Sequence, residues 1–581
     1  MNTTGLLSEF PPIPTEQWEH AIRETVTGPE YPAKLIWHPE EGLAVKPYYR
    51  AEDLKGLQFL DAGPGEFPFV RGTRVMGGWR IRERVHAADP EEANRAACAA
   101  VRAGAEEIAF CRAMIASSSD VALLLGNLDE IPVHFEGISQ GSARIVIERL
   151  RQRPHKAMVS ADFDPLADSD FSADLLAAAP SGFRPFVIHA EDFQERAAGS
   201  IEEVGFAISA GADFLDQMVE RGARVDLIAE SVVFSFAMGP EFFVQIAKLR
   251  AFRMVWAKVV QSFGGNRQSS RAMLHARTAE WNKTIYDPHL NILRATTETI
   301  SAILGGVESI SVAAFDECYK EPDESSRRLA RNTQIILKQE AHLARVADAT
   351  GGSYLIEAVT NAIALRAWAL FQELESAGGF QKARASGTVS SVLERHEQSR
   401  QEAVDHRHLV LTGTNRFANP AEKMLEVGGP LRRQPSKRVA SHFEDLRLRT
   451  GRAERGGIAP NIVLAEIGDP KMRKARSQFA ADFLACAGLR SKPKRFENPA
   501  DIAASGAQVL VICSSDAEYL PIVQELMPKL QAKGNQPHLL VAGNPITREA
   551  LAALGVADFI HIGSDAIEVL LKLQRQIGIE G

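Results

Sequence analysis

Residues 462–488 read IVLAEIGDPKMRKARSQFAADFLACAG. An apolar, β-branched run of this length is a buried strand. Gly468-Asp469-Pro470 is a tight turn, and Met472–Ala487 then repeats its apolar positions at helical spacing. The turn contains no histidine, and none occurs between His442 and His538. The same strand-turn-helix grammar continues to the C-terminus with strands VLVICS, HLLVAG and DFIHIG and helices Glu518–Gln531, Thr547–Leu554 and Asp565–Ile577. Alternating βα units over residues 458–581 predict a flavodoxin-like, doubly wound domain.

Working toward the N-terminus, residues 411–457 lose periodicity and collect Pro420, Gly428, Gly429, Pro430 and Pro435 among mixed charges, which predicts an interdomain linker. Residues 86–410 return to alternation. EEIAF, VALLLG, PVHFEGI, KAMVS, PFVIHA, SVVFSFA, AMLHARTA and SISVAAFD are the strand candidates, separated by helical segments such as Ala198–Gly222, Pro240–Phe263, Pro288–Gly305 and Ser325–Val346. About eight strand-helix units in this span fit a (β/α)8 TIM barrel better than an open sheet. Residues 1–85 differ again: prolines from Pro11 to Pro68 interrupt every candidate element, predicting an extended, proline-rich arm that wraps its own barrel or a partner.

A chain of 581 residues is too long for one core, and 45% hydrophobic with 24% charged residues is ordinary for a globular protein. A net charge of −8 leaves no basic footprint for nucleic acid. No apolar run approaches the roughly 20 residues of a membrane span and the N-terminus lacks signal-peptide order, so the expected location is cytoplasmic, with no membrane partner. Cys98, Cys111, Cys318, Cys486 and Cys513 are scattered without a CxxC pair and read as reduced core thiols. With no HExxH and no spaced Cys/His cluster, no metal site is expected.

Ser325–Ser353, SSRRLARNTQIILKQEAHLARVADATGGS, followed by Tyr354-Leu355-Ile356-Glu357, resembles the signature of the methylmalonyl-CoA mutase family. Tyr286–Arg294, Val307–Val312 and Ile246–Lys258 keep that family's order and spacing, and the resemblance runs from about Pro68 to the end. It implies an α/β chain whose barrel is of the acyl-CoA mutase type and whose flavodoxin-like domain is of the cobalamin-binding type.

The resemblance also says which residues to inspect. In active relatives the first turn of the C-terminal domain reads Asp-x-His-x-x-Gly and its histidine ligates cobalt; here Asp469-Pro470-Lys471-Met472-Arg473 offers no imidazole. The family's tail-facing segments stand as Cys513-Ser514-Ser515 and Ala542-Gly543-Asn544. In the barrel, Arg84 stands where a tyrosine drives cobalt–carbon homolysis, and Asp192 is nearest the histidine that polarises the thioester carbonyl, His189 lying three residues too early. An aspartate repels a developing oxyanion. The Ala157–Asp164 strand lacks the family's glutamine, and the arginine that pairs with the substrate carboxylate has no clear counterpart. Arg82 and His275 match residual coenzyme A-type contacts. No catalytic, cofactor-binding or metal residue is otherwise expected.

The resemblance therefore implies a small, non-catalytic subunit that binds no cofactor itself and supports a large subunit carrying adenosylcobalamin. Its interface is expected to exceed the roughly 2,000 Å² at which permanent complexes begin, with Phe10, Trp18, Tyr31, Trp37, Tyr48, Tyr49 and Phe59 of the arm as anchors. Two other readings stay open: a single-chain mutase for another acyl-CoA, and an accessory, chaperone-like protein that binds a mutase.

Overall fold

The structure is a computed structural model and describes residues 13–26, 34–39, 42–423, 438–534 and 536–580. Eight parallel strands close into a barrel in the order β1 to β8: Arg80–Val85, Glu107–Cys111, Val133–Glu136, Val159–Phe163, Phe183–His189, Val232–Met238, Met273–Thr278 and Ser309–Ser311. β1 pairs with both β2 and β8, so no strand edge is left open. The middle strands are buried at nearly every residue, because helices cover their outer faces while the inner faces fill the barrel.

The helical ring packs tightly enough to need glycine at one crossing. On the helix Ser200–Glu220, a Cβ at Gly211 would lie 2.5 Å from the Trp256 ring of the helix Phe242–Ser262. Between these helices Lys248 and Glu203, both fully buried, pair at 2.6 Å. The Lys248 ammonium also donates to the Ala237 carbonyl at 2.7 Å and to Gln245 Oε1 at 2.6 Å, so each of its protons is used.

Beyond the barrel a separate five-stranded parallel sheet runs in the order β10-β9-β11-β12-β13: Ser491–Arg495, Ile462–Glu466, Val509–Cys513, His538–Val541 and Asp558–Phe559. Relative to its own first strand this is 2-1-3-4-5, the flavodoxin-like order. The two bodies share an apolar cluster in which Ala237, Ala279 and Trp281 of the barrel meet Phe443, Leu446, Ile462, Leu464 and Phe483.

Several expectations need correction. The barrel begins at Arg80, inside the stretch expected as arm, since RIRERV is its first strand. VALLLG is not a strand: Ser117 and Asp120 form a capping box that starts the helix Ser118–Leu124. The expected linker holds the helix Ser441–Arg455, which buries Phe443 and Leu446 between the two bodies; Gly428, Gly429, Pro430 and Pro435 lie outside the described residues. Edge strand β10, SKPKR, is exposed at nearly every position and carries the lysines and proline that blunt an edge.

The arm divides. Leu43, Val45, Phe59 and Val70 belong to the barrel's main core, whereas the helix Thr15–Thr25 buries none of its residues. Trp18 packs on Tyr48, and the Arg50 guanidinium donates to the Ile13 carbonyl at 2.7 Å. Phe10 and Tyr31 lie outside the described residues. Among the described residues one helix, Tyr354–Ser376, is long and apolar enough to cross a membrane by length and composition. It packs on the helices Ser200–Glu220 and Phe242–Ser262 and buries Val359, Ile363 and Ala367, which is the position of a core helix.

Candidate functional site

In a (β/α)8 barrel the chemistry sits at the carboxyl ends of the strands. Arginines recur in alternation along β1, from Arg80 at its start to Arg84 near its carboxyl end, because side chains two apart share a face of a strand. Arg80 and Arg82 both reach Glu107 on β2, each at 2.6 Å. Arg84, two residues on, donates to Glu136 of β3 at 2.9 and 3.2 Å and to Glu317 at 3.5 Å. The intervening Glu83 faces outward and pairs with Arg331.

Glu136 is the centre of this cluster. Burial pushes its carboxyl up, but Arg84 and then Arg277 prevail and hold it well below the usual carboxylate range. Cys111 donates its thiol to Glu136 at 3.1 Å, and burial followed by that carboxylate raises the thiol, so it stays protonated. Arg277, at the end of β7, reaches Glu280 at 3.2 Å. The charges at the mouth are thus spent on one another. The space left among Arg82, Arg84, Arg277, Ser311 and Glu317 is a cavity of about 60 Å³, far below the 300–1,000 Å³ of an ordinary small-molecule site.

On the opposite wall, β5 ends in His189, whose Nδ1 lies 3.0 Å from Glu191 Oε1. Burial lowers the imidazole, but Glu191 outweighs it and carries the ring up to about 10. A ring held by a carboxylate in this way is a fixed cation and not a neutral electrophile. Asp192, the residue nearest the expected carbonyl-polarising position, is exposed on the short helix Glu191–Glu195.

The sign of the His189 shift makes a prediction. A histidine raised in the folded state contributes stability that is complete below its unfolded pKa, near 6.5, and is lost as pH rises through the folded value. His189→Gln should therefore remove stability at pH 6 to 8 and flatten the decline toward pH 10. The wild-type imidazole proton shifts in NMR should stay constant from pH 6 to 8.5; a midpoint near 6.5 would contradict the pairing.

The residues expected to contact coenzyme A lie inside the barrel. Arg82 is 5% exposed and its guanidinium is committed to Glu107. His275 is 3% exposed, its Nδ1 is 2.9 Å from Ser309 Oγ, and burial followed by Arg82 keeps it neutral. What sequence reading missed is the cluster of Glu136, Arg277, Glu317 and Cys111. Its signal was present as Arg-x-Arg-x-Arg on one strand with a glutamate ending the next but one.

In the C-terminal domain, Asp469 Oδ1 accepts from the Met472 amide at 2.7 Å and caps the helix Pro470–Ala485, while Arg473 donates to the Gly468 carbonyl at 3.0 Å. Among the described residues no histidine hydrogen-bonds to this turn. The nearby Tyr519 hydroxyl donates to the Ala542 carbonyl, and a Cβ at Gly543 would lie 3.1 Å from the Tyr519 ring. The residues present do not fit a corrinoid with an imidazole ligand. Among the described residues no group of His, Cys, Asp and Glu is arranged to hold a metal ion.

The methylmalonyl-CoA mutase family profile matches residues 38–128 and 172–468. The chain is 33% identical to the methylmalonyl-CoA mutase small subunit of Porphyromonas gingivalis, over 99% of both chains. It is 30% identical to the methylmalonyl-CoA mutase small subunit of Streptomyces virginiae, over 99% of this chain and 98% of that one. Its similarity to the methylmalonyl-CoA mutase of Cereibacter sphaeroides is 29% identity over 71% of this chain and 65% of that protein.

Proposed function

This chain belongs to the methylmalonyl-CoA mutase family, and from that premise we propose that it is the non-catalytic small subunit of a heterodimeric mutase. Its partner would be a large subunit that binds adenosylcobalamin and interconverts methylmalonyl-CoA and succinyl-CoA. The observation that carries this reading is the state of the barrel mouth: Arg84 is locked between Glu136 and Glu317, and the β5 side holds the His189–Glu191 ion pair in place of a neutral imidazole. The match to proteins named small subunit over nearly the whole chain supports a subunit role over a single-chain mutase or an accessory protein.

The test is turnover with and without the large subunit. The chain alone, incubated with adenosylcobalamin and methylmalonyl-CoA, should remain colourless after desalting and form no succinyl-CoA; a coloured protein or measurable product would overturn the reading. Arg84→Tyr with Asp192→His should not restore turnover, because residues that act as a unit contribute non-additively and the C-terminal turn still lacks its ligand. That double variant should also be less stable than wild type by about 1–3 kcal/mol, since Glu136 loses its strongest partner.

A further inference from the structure

Doubly wound sheets take ligands outside the carboxyl ends of their strands, where the strand order reverses. In this chain that crevice lies between β9 and β11, and a carboxylate of the chain itself stands in it. Glu518 precedes the helix Tyr519–Ala532 and turns back into the crevice. Its Oε2 accepts from Ser514 Oγ at 2.7 Å, Ser515 Oγ at 2.6 Å, the Asp469 amide at 3.1 Å and the Ser515 amide at 3.3 Å. These donors come from the turns after both strands and converge as they would on a tetrahedral oxyanion. Among the described residues no lysine or arginine forms an ion pair with this carboxylate.

The fit is close. Gly468 has φ +78°, and a Cβ there would lie 2.5 Å from both Glu518 Oε2 and Ser514 Oγ, so the carboxylate fills the space up to the backbone of the first turn. Fully buried Tyr519 fixes the second turn, its hydroxyl accepting from the Ser514 amide at 3.2 Å.

We infer that Glu518 is an internal stopper, whose carboxylate occupies an oxyanion-accepting crevice and keeps phosphate-bearing ligands out of the C-terminal domain. The hydroxyls of Ser515 and Ser514 and the Asp469 amide hold its carboxyl down to about 2, so it is ionised at any physiological pH. This deepens the cofactor-free reading of the chain. The two fail separately, because the probe is inorganic phosphate: uptake of cobalamin by the wild-type chain would defeat the cofactor-free reading, whatever phosphate does.

The experiment measures phosphate binding to the full chain at pH 7.5 by calorimetry and phosphorus NMR. Glu518→Ala, and Glu518→Ser, which places a good helix-capping residue there, should bind phosphate at least about tenfold more tightly than wild type. Glu518→Gln, which retains the volume and an acceptor, should bind no better than wild type. Equal affinity in wild type and Glu518→Ser, or no binding by folded Ala and Ser variants, would overturn the inference. Independently of any variant, the Asp469 and Ser515 amide protons of the wild-type chain should exchange about a hundredfold more slowly than in an unprotected chain. Exchange at the unprotected rate would overturn it as well.

Discussion

Lys248→Met is expected to destabilise the barrel by about 3–5 kcal/mol, because it strips the cation from Glu203, whose carboxyl burial pushes up to about 7 even with Lys248 beside it and which must then stay buried unpaired or take up a proton. The loss is large because both side chains are fully buried and Glu203 Oε1 has no hydrogen-bond partner. The ammonium also ties the end of β6 to two ring helices through the Ala237 carbonyl and Gln245. Adding Glu203→Gln to Lys248→Met should recover part of the loss, since a neutral amide is cheaper to bury than an unpaired carboxylate. The measurement is the midpoint of urea unfolding followed by tryptophan fluorescence. A Lys248→Met variant that unfolds with wild type, or a double variant no better than the single one, would show that the pair does not act as described.

Deleting residues 1–26 is expected to leave the chain folded while weakening its association with the proposed large subunit about a hundredfold, the effect of losing one aromatic anchor region from an interface. The helix Thr15–Thr25 buries none of its own residues, yet Trp18 and Ile22 share one of its faces. A longer deletion through residue 60 would confuse the result, since Leu43, Val45 and Phe59 belong to the barrel core. Co-purification with the large subunit and the thermal midpoint of the truncated chain should be measured together. Undiminished 1:1 assembly of a truncated chain with an unchanged midpoint would defeat the role given to this helix.

Much of the architecture was legible without coordinates. The apolar runs of β5, β6 and β7 and of β9, β11 and β12 announce strands buried on both faces, and their spacing by helical segments leaves few parallel arrangements. The absence of a histidine between residues 442 and 538, and the presence of Arg84 and Asp192, are facts of composition at known positions. They bear on chemistry wherever the side chains come to lie, because an aspartate or an arginine cannot do the work of a neutral imidazole or a phenol.

Tertiary structure decided what depends on partners distant in the chain. RIRERV carries too much charge to read as a barrel strand until Glu107, Glu136 and Glu317 are seen to neutralise its arginines inside the barrel. VALLLG has a strand's composition, but a local capping box and burial of Val121 and Leu124 on one side make it a helix. SKPKR pairs as β10 only because β9 offers an edge, through backbone hydrogen bonds that its side chains do not announce. Glu518 lies 49 residues from the Asp469 amide it accepts from. Periodicity and composition register the solvent preference of each residue and its near neighbours, whereas the neutralisation of a buried charge or the filling of a crevice is a property of groups that only the fold brings within hydrogen-bond distance.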